Sequence, residues 1–174
     1  MQETEKIKMS VERTIRALSL KPSLGKGTGR SRARITNGLT CEIQEGKWKF
    51  VADMPESVGG NAQGPTPGVY GRAAFGSCLA IGYMMSAAKM NIPIVLLEVE
   101  VEADYDDGAL FGTSSVDPGY SEVRYLVTVE SDAPEQDILQ MLDDADLHSP
   151  YLDVFSRGQK CKREVRIVSP KLQS

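Results

Sequence analysis

An uncharged segment in the middle of the chain constrains the fold more than any other part of the sequence. No charged residue occurs between Arg72 and Lys89, where small and apolar residues dominate. Pro67 precedes this segment, and proline is tolerated in the first turn of a helix but not in its interior. The sequence therefore predicts a closely packed helix that begins near Thr66 and ends before Pro93. Because the segment is shorter than the roughly 20 apolar residues of a membrane span, we expect no membrane anchor.

The composition excludes several classes of function. The chain has 174 residues, so a single domain over residues 1–174 is the simplest prediction. Its formal charge of −4 argues against a nucleic-acid or anionic-membrane partner. Three scattered cysteines indicate free thiols in a reducing compartment, and the opening MQETEKIK lacks the apolar segment of a signal peptide. We therefore expect a cytoplasmic protein. With one histidine in the chain, no metal site is predicted.

Hydrophobic periodicity predicts an N-terminal helix followed by short strands. Apolar residues recur every three to four positions over residues 3–18, which is the pattern of an amphipathic helix and suggests a helical extension of the domain. Asn37–Gly38 and Glu45–Gly46 are typical hairpin turns, so the strands around them should form an antiparallel meander.

The second half of the chain predicts two paired strands, two helices and a last strand. Apolar and polar residues alternate around 99–103 and again around 123–129, as in half-buried strands. Helices are expected after Pro134 and after Ser149–Pro150, and the segment REVRIV, residues 163–168, is predicted to be the final strand. This order, without regular βαβ alternation, indicates the α+β class.

One cysteine and a set of arginines are candidates for chemistry. Cys78 lies in the middle of the uncharged helix, where a cysteine is usually a small packing residue. A guanidinium close to a thiol, however, lowers the thiol's pKa and raises its reactivity. Arg30, Arg32 and Arg34 are spaced by two, so a strand would present all three on one side. They could form a solvated edge, or one of them could approach the thiol.

The order of these features resembles the OsmC/Ohr family of thiol-dependent peroxide reductases. The resemblance covers about residues 28–169, from the N-terminal strands to the final strand. Its most specific match is the spacing of eleven positions between Pro67, which opens the central helix, and Cys78. It implies an OsmC-like fold, in which an antiparallel sheet wraps around a long central helix, and an intertwined homodimer with active sites at the interface.

The resemblance also implies a mechanism. A Cys78 thiolate would attack an organic hydroperoxide or hydrogen peroxide, giving a sulfenic acid and an alcohol or water. No cofactor is implied; the reductant would be an external thiol, either a small dithiol or a lipoylated protein. Arg30 matches the family's supporting arginine, and Arg32 matches almost as well. An apolar substrate channel could be lined by four residues, for which core packing is the alternative: Tyr70, Phe75, Tyr83 and Met84.

Two positions depart from the family's pattern. Ser149 stands where two-cysteine members carry their resolving cysteine, and a serine hydroxyl cannot form a disulfide. Gly68 and Val69 stand where peroxidase members carry a glutamate paired with the arginine. Cys41 or Cys161 could resolve the oxidised thiol only if the fold brings its sulfur close to Cys78; a structural role is the alternative for both. The competing hypothesis is therefore a non-catalytic OsmC-like dimer that binds an apolar small ligand in the interface pocket.

Overall fold

A long central helix organises the chain in the computed structural model, which describes residues 3–169. Residues 1–2 and 170–174 of the predicted domain lie outside the described residues. Helix α2 runs over Pro67–Met90, with Thr66 at its N-cap and Pro67 in its first turn, as predicted. It ends at Asn91, which adopts a left-handed conformation with φ of 58° and accepts a hydrogen bond from Lys8 Nζ at 2.6 Å.

The N-terminal half contains the predicted helix and meander. Helix α1, Glu3–Leu20, packs along α2. Strands β1 (Arg32–Ile35), β2 (Cys41–Glu45) and β3 (Trp48–Ala52) form an antiparallel sheet in the order β1-β2-β3. Gly38 and Gly46 have positive φ angles of 56° and 53°, which glycine adopts readily in the tight turns that join these strands. The two hairpin predictions are thus confirmed.

The second half forms a separate two-stranded sheet and three helices. Strands β4 (Leu96–Asp104) and β5 (Glu122–Glu130) pair antiparallel over nine residues each. Along the chain, helix α3 (Asp107–Leu110) comes between these two strands, and helices α4 (Glu135–Asp146) and α5 (Pro150–Ser156) follow β5. In this single chain, then, the described strands form two separate sheets rather than one continuous sheet.

The predicted final strand is not formed in this chain. Residues 163–168 have neither helical nor strand structure and are exposed throughout. A strand needs a neighbouring strand to satisfy its backbone groups, and within residues 3–169 no backbone hydrogen bond joins this segment to another element. The strand prediction is therefore wrong for the chain taken alone.

The core lies between α2, the β4–β5 sheet and α4. Phe75, Leu79, Tyr83 and Met141 are each no more than 1% exposed. At Gly76 the helix approaches β4 so closely that an added Cβ would lie 3.1 Å from Val101 Cγ2. Small residues on the helix therefore permit close packing, as predicted. Within residues 3–169, no helix combines the length and apolar character needed to cross a membrane.

A buried aspartate joins the N-terminal sheet to the start of α2. Asp53 is 1% exposed and accepts hydrogen bonds from Thr40 Oγ1 and the Met54 amide, both at 2.8 Å, and from the Gln63 amide at 3.3 Å. Burial by itself raises the pKa of Asp53, but the hydrogen bonds outweigh burial and hold the pKa below its usual range. The charged carboxylate therefore fixes this corner of the fold.

A second carboxylate joins three elements of the core. The Tyr83 hydroxyl on α2 donates to Asp146 Oδ1 at 2.7 Å, and the Tyr125 hydroxyl on β5 donates to Oδ2 at 3.2 Å. Burial raises the pKa of Tyr83, and the bond to Asp146 raises it further. Both phenols therefore stay protonated and act as donors to α4.

Replacement of Tyr83 by Phe should test this link. The substitution keeps the buried ring but removes one donor to a charged group, so the free energy of unfolding should fall by about 1.5–3 kcal/mol, measured by urea denaturation. Tyr151→Phe is the matched control, since Tyr151 is 41% exposed and the tyrosine hydroxyls that donate hydrogen bonds within residues 3–169 are those of Tyr70, Tyr83, Tyr120 and Tyr125. Equal losses in both variants would contradict a stabilising role for the bond.

Candidate functional site

Cys78 lies at the boundary between the covered and uncovered sides of α2. It is half-buried, the preceding Ser77 is exposed and the following Leu79 is 1% exposed. A helix turns about 100° per residue, so Cys78 shares its side of the helix with Ile81 and Met85, which are 62% and 44% exposed. The thiol is therefore at the edge of an uncharged helix surface that this chain leaves open. We call this surface, formed by Ser77, Cys78, Ile81 and Met85, the open side of α2.

An apolar groove begins one helical turn beyond Cys78. Its volume is about 410 Å³. It lies between α1, the second half of α2 and the start of β4, and all its lining residues are apolar: Ile7, Ala80, Ile81, Met84, Met85, Ile94, Val95 and Leu97. Met84, one of the four predicted channel residues, belongs to this groove. Sequence reasoning did not find the other walls, because the position of α1 along α2 has no signature in the sequence.

The other three predicted channel residues make packing contacts in this chain. Phe75 and Tyr83 are each 1% exposed in the core. Tyr70 is half-buried; its hydroxyl donates to the Val51 carbonyl at 2.7 Å and its ring meets Phe50 edge-on at 6.3 Å. The packing alternative accounts for these contacts, and a role in ligand binding stays a prediction.

Arg30 and Arg32 lie away from any described partner. Both are exposed, and neither makes an ion pair within the described part of the chain. Arg32 pairs with Gln44 in the sheet, and Gln44 pairs with Lys49, so Arg32 belongs to the polar face of the N-terminal sheet. A contact of either arginine with Cys78 stays a prediction.

The opposite face of the N-terminal sheet is mostly apolar, with Glu45 as a charged member beside Trp48, and it is partly uncovered. The strand register places Ile35 beside Cys41 and Cys41 beside Ala52, with Ile43 beside Phe50 on the same face. Ile35, Trp48 and Phe50 are 54%, 60% and 44% exposed. The sequence did predict these strands, but not that their apolar face would remain open.

A hydroxyl and a guanidinium occupy the start of α2, where the resemblance would place a glutamate and the chain has Gly68 and Val69. Arg72 Nη1 donates to the Tyr120 hydroxyl at 3.4 Å, and that hydroxyl donates to the Gly68 carbonyl at 3.2 Å. A Cβ added to Gly68 would lie 3.4 Å from Arg72 Nη1. Arg72 is therefore linked through the Tyr120 hydroxyl to the backbone at the start of α2. Tyr120 was not found from the sequence, because it lies in a loop without periodic signal.

Ser149 has a structural role in this chain. It is the N-cap of α5, and its Oγ accepts a hydrogen bond from the Leu152 amide at 3.3 Å. The predicted cap is confirmed. The two remaining thiols differ in position: Cys41 is half-buried in β2, whereas Cys161 is exposed in the segment that follows α5.

Substitution of Ser149 by Ala should separate capping from chemistry. Loss of the cap leaves the Leu152 amide without its acceptor, so the free energy of unfolding should fall by about 1 kcal/mol. The reaction of Cys78 with a peroxide, followed by mass spectrometry, should keep its rate. A slower Cys78 reaction in a folded Ser149→Ala protein would show that the hydroxyl acts at the thiol.

Comparison with known proteins places this arrangement in one family. A family model described as OsmC-like protein matches residues 59–164. No curated protein matches the chain. The OsmC-like protein of Mycoplasma pneumoniae is similar in structure, with a TM-score of 0.64 at 15% sequence identity over 75% of this chain and 89% of its own.

Two organic hydroperoxide resistance proteins have the same fold. The protein from Elizabethkingia anophelis gives a TM-score of 0.53 at 16% identity, covering 74% of this chain and 88% of its own. The protein from Legionella pneumophila gives 0.52 at 15% identity, covering 74% and 89%. At such identities the likeness concerns the fold alone. The family match extends over more than half of the chain, from the approach to α2 to the segment after α5, and this protein therefore belongs to the OsmC-like family.

Proposed function

We propose that this protein is a thiol-dependent peroxide reductase of the oxidative-stress response and that Cys78 is its single peroxidatic cysteine. The observation that carries the proposal is the position of Cys78, a half-buried thiol at the edge of the open side of α2, eleven positions after the helix-opening Pro67. Membership of the OsmC-like family supports a peroxide-related or stress function. The fold shared with the hydroperoxide resistance proteins is consistent with it.

The proposed reaction consumes one peroxide and two external thiol groups. The Cys78 thiolate attacks one peroxide oxygen, so an S–O bond forms as the O–O bond breaks; the leaving alkoxide takes a proton and departs as an alcohol. The sulfur is oxidised to a sulfenic acid and the peroxide is reduced. An external thiol then displaces water from the sulfenic acid, and a second thiol group releases Cys78 by thiol–disulfide exchange. A small dithiol or a lipoylated protein would supply both groups.

A homodimer is part of the proposal. A helix that is apolar on all sides is normally buried on all sides, yet Ile81 and Met85 are exposed here. The N-terminal sheet of the same chain has its own uncovered apolar face, with Trp48 and Phe50. Two copies related by a two-fold axis can cover both surfaces at once, because such an interface uses the same two patches from each partner. The sheet of one copy would then lie over the open side of α2 in the other and shield Cys78 from water.

The setting that we propose is the reducing environment of the cytoplasm. Three free thiols in the described residues and a net charge of −4 support a protein that acts on small molecules there. Neither a nucleic acid nor a membrane is part of the proposal, and the reaction needs no cofactor beyond the thiol reductant.

The second candidate function is the binding of an apolar small ligand without catalysis. It is favoured by the groove beside Cys78, whose lining is apolar throughout. The absence of the family's glutamate at Gly68 and of its resolving cysteine at Ser149 also favours this candidate. In this case Cys78 would be a wall of the interface pocket.

Peroxide consumption separates the two candidates. The reduced protein should consume cumene hydroperoxide or hydrogen peroxide in the presence of dithiothreitol or dihydrolipoamide, and mass spectrometry should detect a sulfenic acid or a mixed disulfide on Cys78. Cys78→Ser should reduce the rate to that of the reductant alone, because the nucleophile is lost.

Two further cysteine variants are the matched controls. Cys41→Ser and Cys161→Ser should keep the parent rate, since an external thiol resolves the sulfenic acid in this proposal. No turnover, with Cys78 unmodified, would refute the reductase and favour the binding protein. Loss of turnover in either control would show that its thiol takes part in resolution.

A charge on the open side of α2 should weaken the proposed dimer. Ile81→Glu would place a carboxylate in an apolar interface, so the dissociation constant should rise at least about tenfold, measured by sedimentation equilibrium. Leu147→Glu is the control, because Leu147 is 83% exposed at the end of α4. A dimer equally stable in both variants would contradict the placement of the interface on α2.

A further inference from the structure

Residues 13–34 form a basic region in a chain that is acidic as a whole. They include seven Lys or Arg residues and no Asp or Glu. Since the whole chain has a net charge of −4, the remaining residues together carry −11. The whole-chain charge, which by itself argues against an anionic partner, is therefore the sum of two regions of opposite sign. Such an asymmetry indicates a local surface that attracts anions.

The basic side chains of this region are not neutralised within the described chain. All seven are exposed, and no ion pair among residues 3–169 involves any of them. Arg13 and Arg16 are three positions apart on α1, where like charges repel each other. An anionic partner would relieve this repulsion. The seven residues are Arg13, Arg16, Lys21, Lys26, Arg30, Arg32 and Arg34.

Helix α1 presents basic and apolar side chains on the same side. A helix turns about 100° per residue, which places five exposed residues within one sector: Lys6, Met9, Arg13, Arg16 and Leu20. We call this sector the outer face of α1. Met9 and Leu20 are 54% and 82% exposed. The half-buried residues of α1 lie on the opposite side, which packs along α2; among them are Ile7, Val11 and Leu18.

The turn after α1 continues this surface. Residues Pro22–Gly25 form a short 3-10 helix, in which Leu24 is 61% exposed, and the exposed Lys21 and Lys26 flank it. Glu12 is an acidic neighbour of the outer face and lines, with Arg13 and Arg16, a shallow groove of about 410 Å³ along α1. Exposed aliphatic side chains therefore alternate with positive charges from α1 through the turn.

An anionic phospholipid surface fits this combination better than other anions do. The interface of a bilayer accepts aliphatic side chains, while its phosphates attract Lys and Arg. A nucleic acid offers no site for exposed leucines, and residues 3–34 contain no aromatic side chain on which a base could stack. An acidic protein would have to supply a separate pocket for each isolated leucine. The chemistry of the surface thus favours lipid.

The surface remains accessible in the proposed dimer. That dimer uses the open side of α2 and the apolar face of the N-terminal sheet. The outer face of α1 lies opposite the side that packs along α2, and Arg32 and Arg34 belong to the polar face of the sheet. Dimer formation and an anionic partner therefore use different surfaces.

We propose that the outer face of α1 and the turn that follows it dock this protein on an anionic phospholipid bilayer. The basic side chains of residues 13–34 would contact lipid phosphates, and Met9, Leu20 and Leu24 would enter the boundary between head groups and acyl chains. Helix α1 would lie in the plane of the bilayer. Ile7, on its inner side, is a wall of the apolar groove beside Cys78, so docking would bring this groove to about one helix diameter from the lipid.

Vesicle sedimentation of the full-length protein tests the docking. Vesicles of phosphatidylcholine and phosphatidylglycerol in equal amounts should bind at least about tenfold more protein than vesicles of phosphatidylcholine alone, because each nearby Lys or Arg favours the anionic surface. Raising the salt from about 0.1 M to about 1 M shortens the Debye length from about 10 Å to about 3 Å and should release most of the bound protein. Equal binding to both kinds of vesicle, or binding to neither, would overturn the proposal.

Paired substitutions test the basic and the apolar contacts separately. Arg13→Gln with Arg16→Gln should lower the partition coefficient into the anionic vesicles at least about tenfold. Leu20→Ser with Leu24→Ser should lower it about tenfold, because two aliphatic side chains no longer leave water.

Matched controls remove the same side-chain types elsewhere. Lys160→Gln with Lys162→Gln removes two exposed charges, and Leu147→Ser removes a leucine that is 83% exposed at the end of α4. Both controls should keep the parent partition coefficient. Losses in the controls as large as those in the α1 variants would overturn the placement of the surface. Circular dichroism should confirm that the variants fold, since all the substituted side chains are exposed.

Two further results would overturn the choice of lipid as the partner. Weaker binding in the arginine variant, with no loss in the leucine variant, would identify a surface for polyanions such as a nucleic acid. Release of the protein from the vesicles by inorganic phosphate, at an ionic strength where sodium chloride does not release it, would identify a site for free phosphate. Peroxide turnover by Cys78 is measured without vesicles, so the proposed function and this inference can fail independently.

Discussion

The need to bury an uncharged helix on all sides determines the rest of this structure. Helix α2 has no charge between Arg72 and Lys89, and one side of it packs against the β4–β5 sheet and α4. Close approach at Gly76 and the buried rings of Phe75 and Tyr83 make this contact tight. Helix α1 covers part of the remaining side, but Ile81 and Met85 stay exposed, and the N-terminal sheet is held at the start of the helix. This geometry links the stability of the fold to the site of the thiol.

Much of the fold could be predicted because local patterns agree with it. Three local patterns each indicate a conformation that the residues themselves prefer. They are the proline at the start of α2, the glycines in two hairpin turns and the apolar alternation in β4 and β5. The one strand prediction that was wrong concerns residues 163–168, which have a clear strand pattern but no partner strand among the described residues. A periodic pattern reports which side of a segment is apolar; it does not report which chain supplies the partner.

The candidate site was predictable only in part, for the same reason. The spacing of Pro67 and Cys78 made the thiol a candidate whose role stays a prediction, whereas the predicted helix cap at Ser149 is confirmed. The groove beside Cys78, the position of α1 and the bond between Arg72 and Tyr120 depend on contacts between residues far apart in the sequence. A loop residue such as Tyr120 has no periodicity, so only the folded chain reveals its partner.

The carboxylate of Asp53 has a consequence for assembly. Its hydrogen bonds join the end of β3 to the segment that leads into α2. The Tyr70 hydroxyl of α2 adds a hydrogen bond to β3. In the proposed dimer, these hydrogen bonds would hold the sheet in place before a second copy binds. A sheet that is already held in place loses little conformational entropy on docking. More of the free energy gained by burying apolar surface would then remain available for association. Protonation of Asp53 in acid would weaken these hydrogen bonds, because the folded chain holds the pKa of Asp53 below its usual range, and association of the proposed dimer would then depend on pH.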